Sequence, residues 1–215
     1  MTTKRLLMKL GILLFSLLLI NASFIPDSIT EEKKEGKNNE FLLEYLSIKY
    51  PEQNFQNFIY VGVKRQELDL YLNGNHVISY KVSTSMHGAG TKAGSDMTPV
   101  GLHKIKGKFG NDVPIGGVLK ARKYTGEIAN IETEAIETGN DAITTRVLTL
   151  EGLEEGVNKG GELDSYGRHI YIHGTAEEGL IGQPASHGCV RMKNEDVVDL
   201  FNRIDAGLTV IILNN

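Results

Sequence analysis

The 215-residue chain has no tryptophan, five prolines and a single cysteine. One cysteine cannot form an internal disulfide. In an exported protein a leftover cysteine is a reactive thiol or half of an intermolecular bridge; the alternative is a buried, apolar cysteine. An excess of one charge is also missing. The formal net charge is only -4, so there is no basic footprint for a phosphate backbone and no nucleic acid partner is expected. The longest apolar run falls short of the roughly 20 residues of a comfortable membrane span. No G-x-x-x-x-G-K-[ST] or G-x-G-x-x-G motif occurs, so the glycine-rich stretch 85–96 reads as a loop and not as a phosphate cradle. No long low-complexity tract or internal repeat is present.

What is present divides the chain into three parts. Residues 1–25 read as a signal peptide or N-terminal membrane anchor: Lys4, Arg5 and Lys9 lead into the apolar run 10–20, and Asn21-Ala22-Ser23 offers small residues for cleavage. The expected location is therefore exported, in the periplasm or at the outer face of the cytoplasmic membrane. The inner membrane would be contacted only through that segment if it stays uncleaved. Residues 26–56 are a polar linker rich in Glu, Lys and Asn, with a short amphipathic helix predicted over 41–48 and limited by Pro51. Residues 57–215 carry a β pattern. Strands are predicted over 58–63, 67–72 and 76–84, the last two joined by the Asn73-Gly74-Asn75 turn. Further strands are predicted around His103 and over 142–150, 166–173 and 208–213. Residues 107–142 read as long loops with short strands, of the kind that serve as lids or binding loops. Asn194 is placed to cap a helix over 195–204 whose buried stripe is Val197, Val198, Phe201 and Ile204.

The chemistry gathers in two segments, Ile170-Tyr171-Ile172-His173-Gly174-Thr175 and Ser186-His187-Gly188-Cys189-Val190-Arg191-Met192. A thiol becomes a good nucleophile when a nearby imidazole takes its proton. Two histidines qualify. His173, on a separate strand, can be aimed across the sulfur and is favoured as base; His187 would then shape the turn. Gly188 lets a substrate approach the backbone, and the N–H groups of Gly188 and Cys189 are candidates for an oxyanion hole. In an extended segment Arg191 faces the same way as Cys189 and can hold a substrate carboxylate; an ordinary salt bridge is the alternative. Two rival readings stay open. His173, His187 and Cys189 match a catalytic zinc set in number, although no H-E-x-x-H or C-x-x-C spacing occurs. The domain can also be a non-catalytic wall-binding module with an inert cysteine. His76, His87 and His103 are assigned no chemistry.

These segments, with Thr98-Pro99-Val100-Gly101 upstream, resemble the L,D-transpeptidase catalytic domain family (YkuD type) of bacterial cell-wall enzymes, over roughly residues 57–213. The resemblance implies a mainly β, sandwich-like domain with a catalytic cleft and a few short helices, and no cofactor. It implies Cys189 as nucleophile and His173 as general base, oriented by the Gly174 carbonyl. Backbone groups at Gly174, His187 and Gly188 would form the oxyanion surroundings, with Arg191 and Ser186 as substrate contacts. The implied partner is a peptidoglycan stem peptide, cleaved before its terminal D-alanine through a thioester. The acceptor would be a stem diamino acid (a 3–3 cross-link), a lipoprotein lysine, or water.

Overall fold

The structure, a computed structural model, describes residues 40–139 and 141–215. The expected signal or anchor and most of the polar linker lie outside the described residues. Two compact units are distinguished, 1–53 and 54–215. In the first, residues 40–49 form helix α1, close to the helix expected there and ending just ahead of Pro51. Among the described residues no helix is long and apolar enough to cross a membrane.

The second unit is mainly β. Its strands are β1 (Phe58–Gly62), β2 (Glu67–Leu72), β3 (Asn75–Ser83), β4 (Gly101–Phe109), β5 (Gly117–Lys120), β6 (Lys123–Ile128), β7 (Ile143–Gly152), β8 (Tyr171–Thr175), β9 (Val190–Met192) and β10 (Thr209–Leu213), with helix α2 (Asn194–Arg203) between the last two. They form one sheet in the order β4-β10-β1-β2-β3-β9-β8-β7-β5-β6, and β4 also pairs with β7. Hydrogen bonding therefore runs continuously round the sandwich, and β5–β6 is left outside the ring as a hairpin. The β1–β10 and β8–β9 pairs are parallel; the other strand pairs are antiparallel.

Alternation along the strands fills the interior. Ile59, Val61, Leu68, Leu70, Val82, Ile105, Leu148, Leu150, Ile172, Val190 and Met192 form one buried cluster, which Val197, Leu200, Phe201 and Ile204 close from the helix side. The helix stripe is thus Val197, Leu200 and Phe201. Leu200, not Val198, takes the inward position, while Val198 is half-buried.

Two local expectations are corrected. The stretch 166–173 is not one strand: residues 165–169 form a turn and the strand starts at Tyr171. The Asp164 carboxylate accepts N–H bonds from Tyr166 (2.9 Å) and Gly167 (3.1 Å), an Asx turn that outcompetes extension. His169 closes the turn with φ 57, a conformation His tolerates better than most side chains. Second, Asn194 is the first residue of α2 and not its cap. Its amide points inward to the Thr175 carbonyl (2.8 Å) and Glu178 (2.7 Å), and its backbone N–H is taken by the same Glu178 carboxylate. An acidic side chain from a different segment therefore satisfies the helix N-terminus, where its charge also suits the dipole. Residues 107–142 match the expected long loops with short strands: they contain the end of β4 and the β5–β6 hairpin.

Candidate active site

The parallel β8–β9 pair builds the site. Its register sets Ile172 beside Val190 and His173 beside Arg191. Paired residues share a face and successive residues alternate faces. Ile172 and Val190 therefore go to the interior cluster, while Tyr171, His173, Cys189 and Arg191 project together on the opposite face. There Val113, Leu119, Val147 and Tyr171 form a second small cluster, against which Phe109, Ile143 and Cys189 pack. His173 is the middle residue of β8 and does not end the strand.

Cys189 is a half-buried free thiol. Its sulfur accepts from the Tyr171 N–H and donates to the His169 carbonyl, both at 3.4 Å. Burial pushes the thiol up to about 11, and the Asp141 charge adds to this; the Tyr171 N–H and the charges of Arg191 and Arg168 pull the other way. His173 is 1% exposed, and burial lowers its proton affinity. Its Nδ1 lies 2.7 Å from the Gly174 carbonyl. A carbonyl only accepts, so Nδ1 carries the hydrogen and Nε2 keeps its lone pair. Burial thus disfavours the charged form of both groups, and the Gly174 carbonyl fixes the imidazole tautomer.

Gly174 is required by close approach. A Cβ there would sit 2.7 Å from Asn194 Oδ1 and 2.8 Å from the Thr144 carbonyl. Asn194 Oδ1 also accepts from the hydroxyls of Thr144 and Thr145. Thr145 has φ 65, at the point where the β7–β8 register shifts. This is a strained conformation for a β-branched residue, and the surrounding bonds hold it.

The cysteine loop is shaped from within. Ser186 is fully buried; its hydroxyl donates to the Cys189 carbonyl (2.6 Å) and accepts from the Gly188 N–H (3.2 Å). Gly188 has φ 121, and a Cβ on it would meet Ile170 and the Met97 carbonyl. Ser186 is therefore a brace of the turn, and one of the two N–H groups considered for the oxyanion is already engaged. Arg191 is 1% exposed. Nη1 reaches Glu177 at 3.0 Å and Nη2 reaches Asp141 at 2.6 Å. The salt-bridge alternative describes this geometry; the guanidinium presents no open face to a substrate. His187 projects outward, with Nδ1 2.9 Å from Asp141 Oδ2.

Four participants escaped the sequence reading. Asp141 joins His187 to Arg191. Glu177 joins Arg191 to the backbone and hydroxyl of Thr138. Glu178 holds Asn194. Arg168 donates to the carbonyls of Gly90, Thr91 and Met97, tying the glycine-rich loop to the 165–169 turn. Only their charge marked them in the sequence, Asp141 in a stretch read as loop and Arg168 in one read as strand. His76 stays at the β2–β3 turn beside Tyr71 and Ser79, and His87 is exposed. His103 is buried between the Gly101 carbonyl and Ser165, a structural histidine as expected. Among the described residues, no three His, Cys, Asp or Glu side chains converge as metal ligands do.

The buried histidines set an acid limit on stability. Burial takes His103 from 6.5 down to about 4, and lowers His173 as well. Both folded-state values lie below the unfolded one. Above about pH 6.5 neither histidine matters. Below it the unfolded chain binds protons that the folded chain refuses, so stability falls, by up to about 1.4 kcal/mol per pH unit for each histidine. The His103 loss is complete below its folded value of about 4. Urea melts at about pH 7 and 5.5 should show this slope, and His103→Asn should remove about half of it. Equal stability at the two pH values would contradict the buried neutral state.

The sequence matches the profile of the L,D-transpeptidase catalytic domain (YkuD) over residues 56–212. YqjB of Bacillus subtilis (strain 168) is 45% identical over 49 residues, 23% of this chain and 28% of that protein. YkuD of the same strain is 38% identical over 60 residues, 26% of this chain and 37% of that one. Both carry L,D-transpeptidase names, and the chain spans well under half the length of either. Similar solved structures include an L,D-transpeptidase from Mycobacterium smegmatis, with TM-score 0.44 and 16% identity, covering 74% of this chain and 58% of that one. L,D-transpeptidase 3 from Mycobacterium tuberculosis, in complex with a faropenem-derived adduct, gives TM-score 0.46 and 14% identity over 74% of this chain and 60% of that one.

Proposed function

The chain belongs to the L,D-transpeptidase catalytic-domain family, and from that premise we propose that it is a cysteine acyltransferase acting on peptidoglycan tetrapeptide stems, with Cys189 as nucleophile and His173 as base. The observation that carries this reading is the shared face of β8 and β9. Cys189, the residue before β9, bonds through its sulfur to Tyr171 and His169, and two residues beyond Tyr171 β8 carries a histidine whose Nδ1 is tied to Gly174 and whose Nε2 is left as acceptor.

In the first half-reaction His173 Nε2 takes the thiol proton as sulfur attacks the carbonyl of the third stem residue. The C–S bond forms, the carbonyl oxygen becomes an oxyanion near the backbone of the cysteine loop, and His173 then protonates the departing amine of D-alanine. Burial disfavours a separated thiolate and imidazolium, which favours proton transfer in step with attack. An amine next attacks the thioester; a diamino acid of a neighbouring stem gives a 3–3 cross-link. Ser186 and Arg191 act through the shape of the loop and do not touch substrate. Residues 1–25 act as export signal or anchor, 26–56 as linker and 57–215 as the catalytic domain, working outside the cytoplasm.

The direct test is mass spectrometry of the purified chain mixed with a disaccharide-tetrapeptide. A dimer lacking one D-alanine supports the transpeptidase reading. Tripeptide alone supports the carboxypeptidase alternative, or transfer to an absent acceptor such as a lipoprotein lysine. No product from protein with an intact thiol moves the assignment to a wall-binding module. His173→Ala is expected to slow acylation by about 10²-fold or more; a rate close to wild type would remove His173 as base.

A further inference from the structure

We propose that His187, held by Asp141, is a second base that serves the acceptor half of the reaction. This rests on the thioester reading above and assigns the two motif histidines to different halves of it.

The geometry makes His187 an oriented base and not merely a turn residue. Its Nδ1 meets the Asp141 carboxylate at 2.9 Å. A carboxylate only accepts, so Nδ1 carries a hydrogen, and in the neutral ring Nε2 is the basic nitrogen. Against the desolvation that would raise it, hydrogen bonds from Arg191 and His187 hold the Asp141 carboxyl below the usual carboxylate range. Asp141 is itself fixed by Arg191 at 2.6 Å, and Arg191 by the buried Glu177 at 3.0 Å. The orientation of an exposed ring is thereby anchored in the interior.

Solvent exposure separates the two histidines: both can meet an amine at the thioester, and only His187 also faces the solvent. An acceptor amine arrives from solvent after D-alanine has left, and an alkylamine arrives as ammonium. It must lose a proton before it can attack. His173 is 1% exposed and its proton affinity is lowered by burial. The His187 side chain is 48% exposed. It lines a cleft of roughly 340 Å³ with Asp96, Arg168 and Ile170, while Asp141 lines a second of roughly 640 Å³ beside the β5–β6 hairpin. The pair therefore borders both clefts, and His187 stands two positions before Cys189 in the chain.

In the step assigned, His187 Nε2 takes one proton from the acceptor ammonium. The freed lone pair attacks the thioester carbonyl carbon, and the C–N bond forms as the C–S bond breaks, its electrons leaving on sulfur. The second amine proton passes to His173 and then to the thiolate. His187 returns its proton to water.

His187→Asn tests this, because the asparagine amide can still donate to Asp141 while Nε2 is deleted. Acyl-enzyme formation is followed by intact-protein mass spectrometry without acceptor, and its decay after an amine is added. We expect formation close to the wild-type rate and transfer to an alkylammonium acceptor slowed by about 10²-fold. Transfer to hydroxylamine, which is largely neutral at pH 7, should be unchanged, since it needs no prior deprotonation. Asp141→Asn, which loosens the ring and its tautomer, should show the same selective loss. If transfer to both amines falls together, or if formation slows as much as transfer, the pair only supports the loop and the assignment is overturned. Absence of any acyl-enzyme in the wild-type protein overturns the thioester reading as well, and is seen before an acceptor is added.

Discussion

In the Cys189→Ala variant, release of D-alanine from a tetrapeptide stem is expected to fall to the background rate while the domain stays folded. The two halves of that expectation have separate causes. The sulfur is half-buried among Val147, Tyr171 and Ile143, and its polar contacts are two weak sulfur bonds at 3.4 Å. Removing it costs about 1 kcal/mol, which for a domain of this size lowers the melting temperature by roughly 2–4 °C. Catalysis has no such reserve. The hydroxyl of the cysteine loop, Ser186, is fully buried and spent on the Cys189 carbonyl, so it cannot take over as nucleophile. Mass spectrometry of the stem products and a thermal melt on the same preparation give both numbers. Product at a measurable fraction of the wild-type rate would end the thiol mechanism. Loss of product together with loss of the fold would leave it to be tested by Cys189→Ser, which keeps the shape of the side chain and a far less acidic nucleophile.

The two segments proposed to carry the nucleophile and its base stand out in the sequence because both are short and locally patterned. The alternation that predicts the strand over 67–72, applied to 189–191, leads to the expectation that Arg191 and Cys189 share a face. What fills that face was not legible. Asp141 and Glu177 reach Arg191 only through the pairing of β7 with β8 and of β8 with β9, and register across strands distant in the chain leaves no mark in local spacing. The Asn194 expectation failed for a related reason. Its amide fits a cap by local rule, but Thr175, Glu178 and the two threonines of β7 offer it a buried network, and the tertiary partners win. The turn at 165–169 was in principle readable, since Asp164 followed by Tyr166 and Gly167 is an Asx-turn signal; the apolar run of β8 obscured it. Closure of the sheet by β4–β7 is again long-range, and only the mainly β character of the fold was accessible beforehand.

The second large effect is expected at Arg191, and it is one of stability before it is one of catalysis. Arg191 and Glu177 are 1% and 2% exposed and meet at 3.0 Å. Arg191→Met leaves the Glu177 carboxylate buried against Thr138 alone, and loses the partner that fixes Asp141. Breaking one side of such a pair costs about 3–5 kcal/mol. Glu177→Gln should cost less, because a neutral amide tolerates burial and Asp141 still faces the guanidinium. In the double variant Arg191→Met, Glu177→Gln the stranded charge is gone, so the loss should be smaller than the sum of the singles. Urea denaturation of the three variants measures this directly. A substrate contact would behave differently: Arg191→Met would keep wild-type stability and raise KM for a carboxylate-bearing stem with kcat little changed. The buried geometry predicts the reverse: a large stability loss, with kcat of the remaining folded protein reduced because Asp141, and through it His187, has lost its anchor. If the variant melts with the wild type, the ion pair does not hold the cysteine loop in solution, and Arg191 returns to the substrate-binding role that its position beside Cys189 first implied.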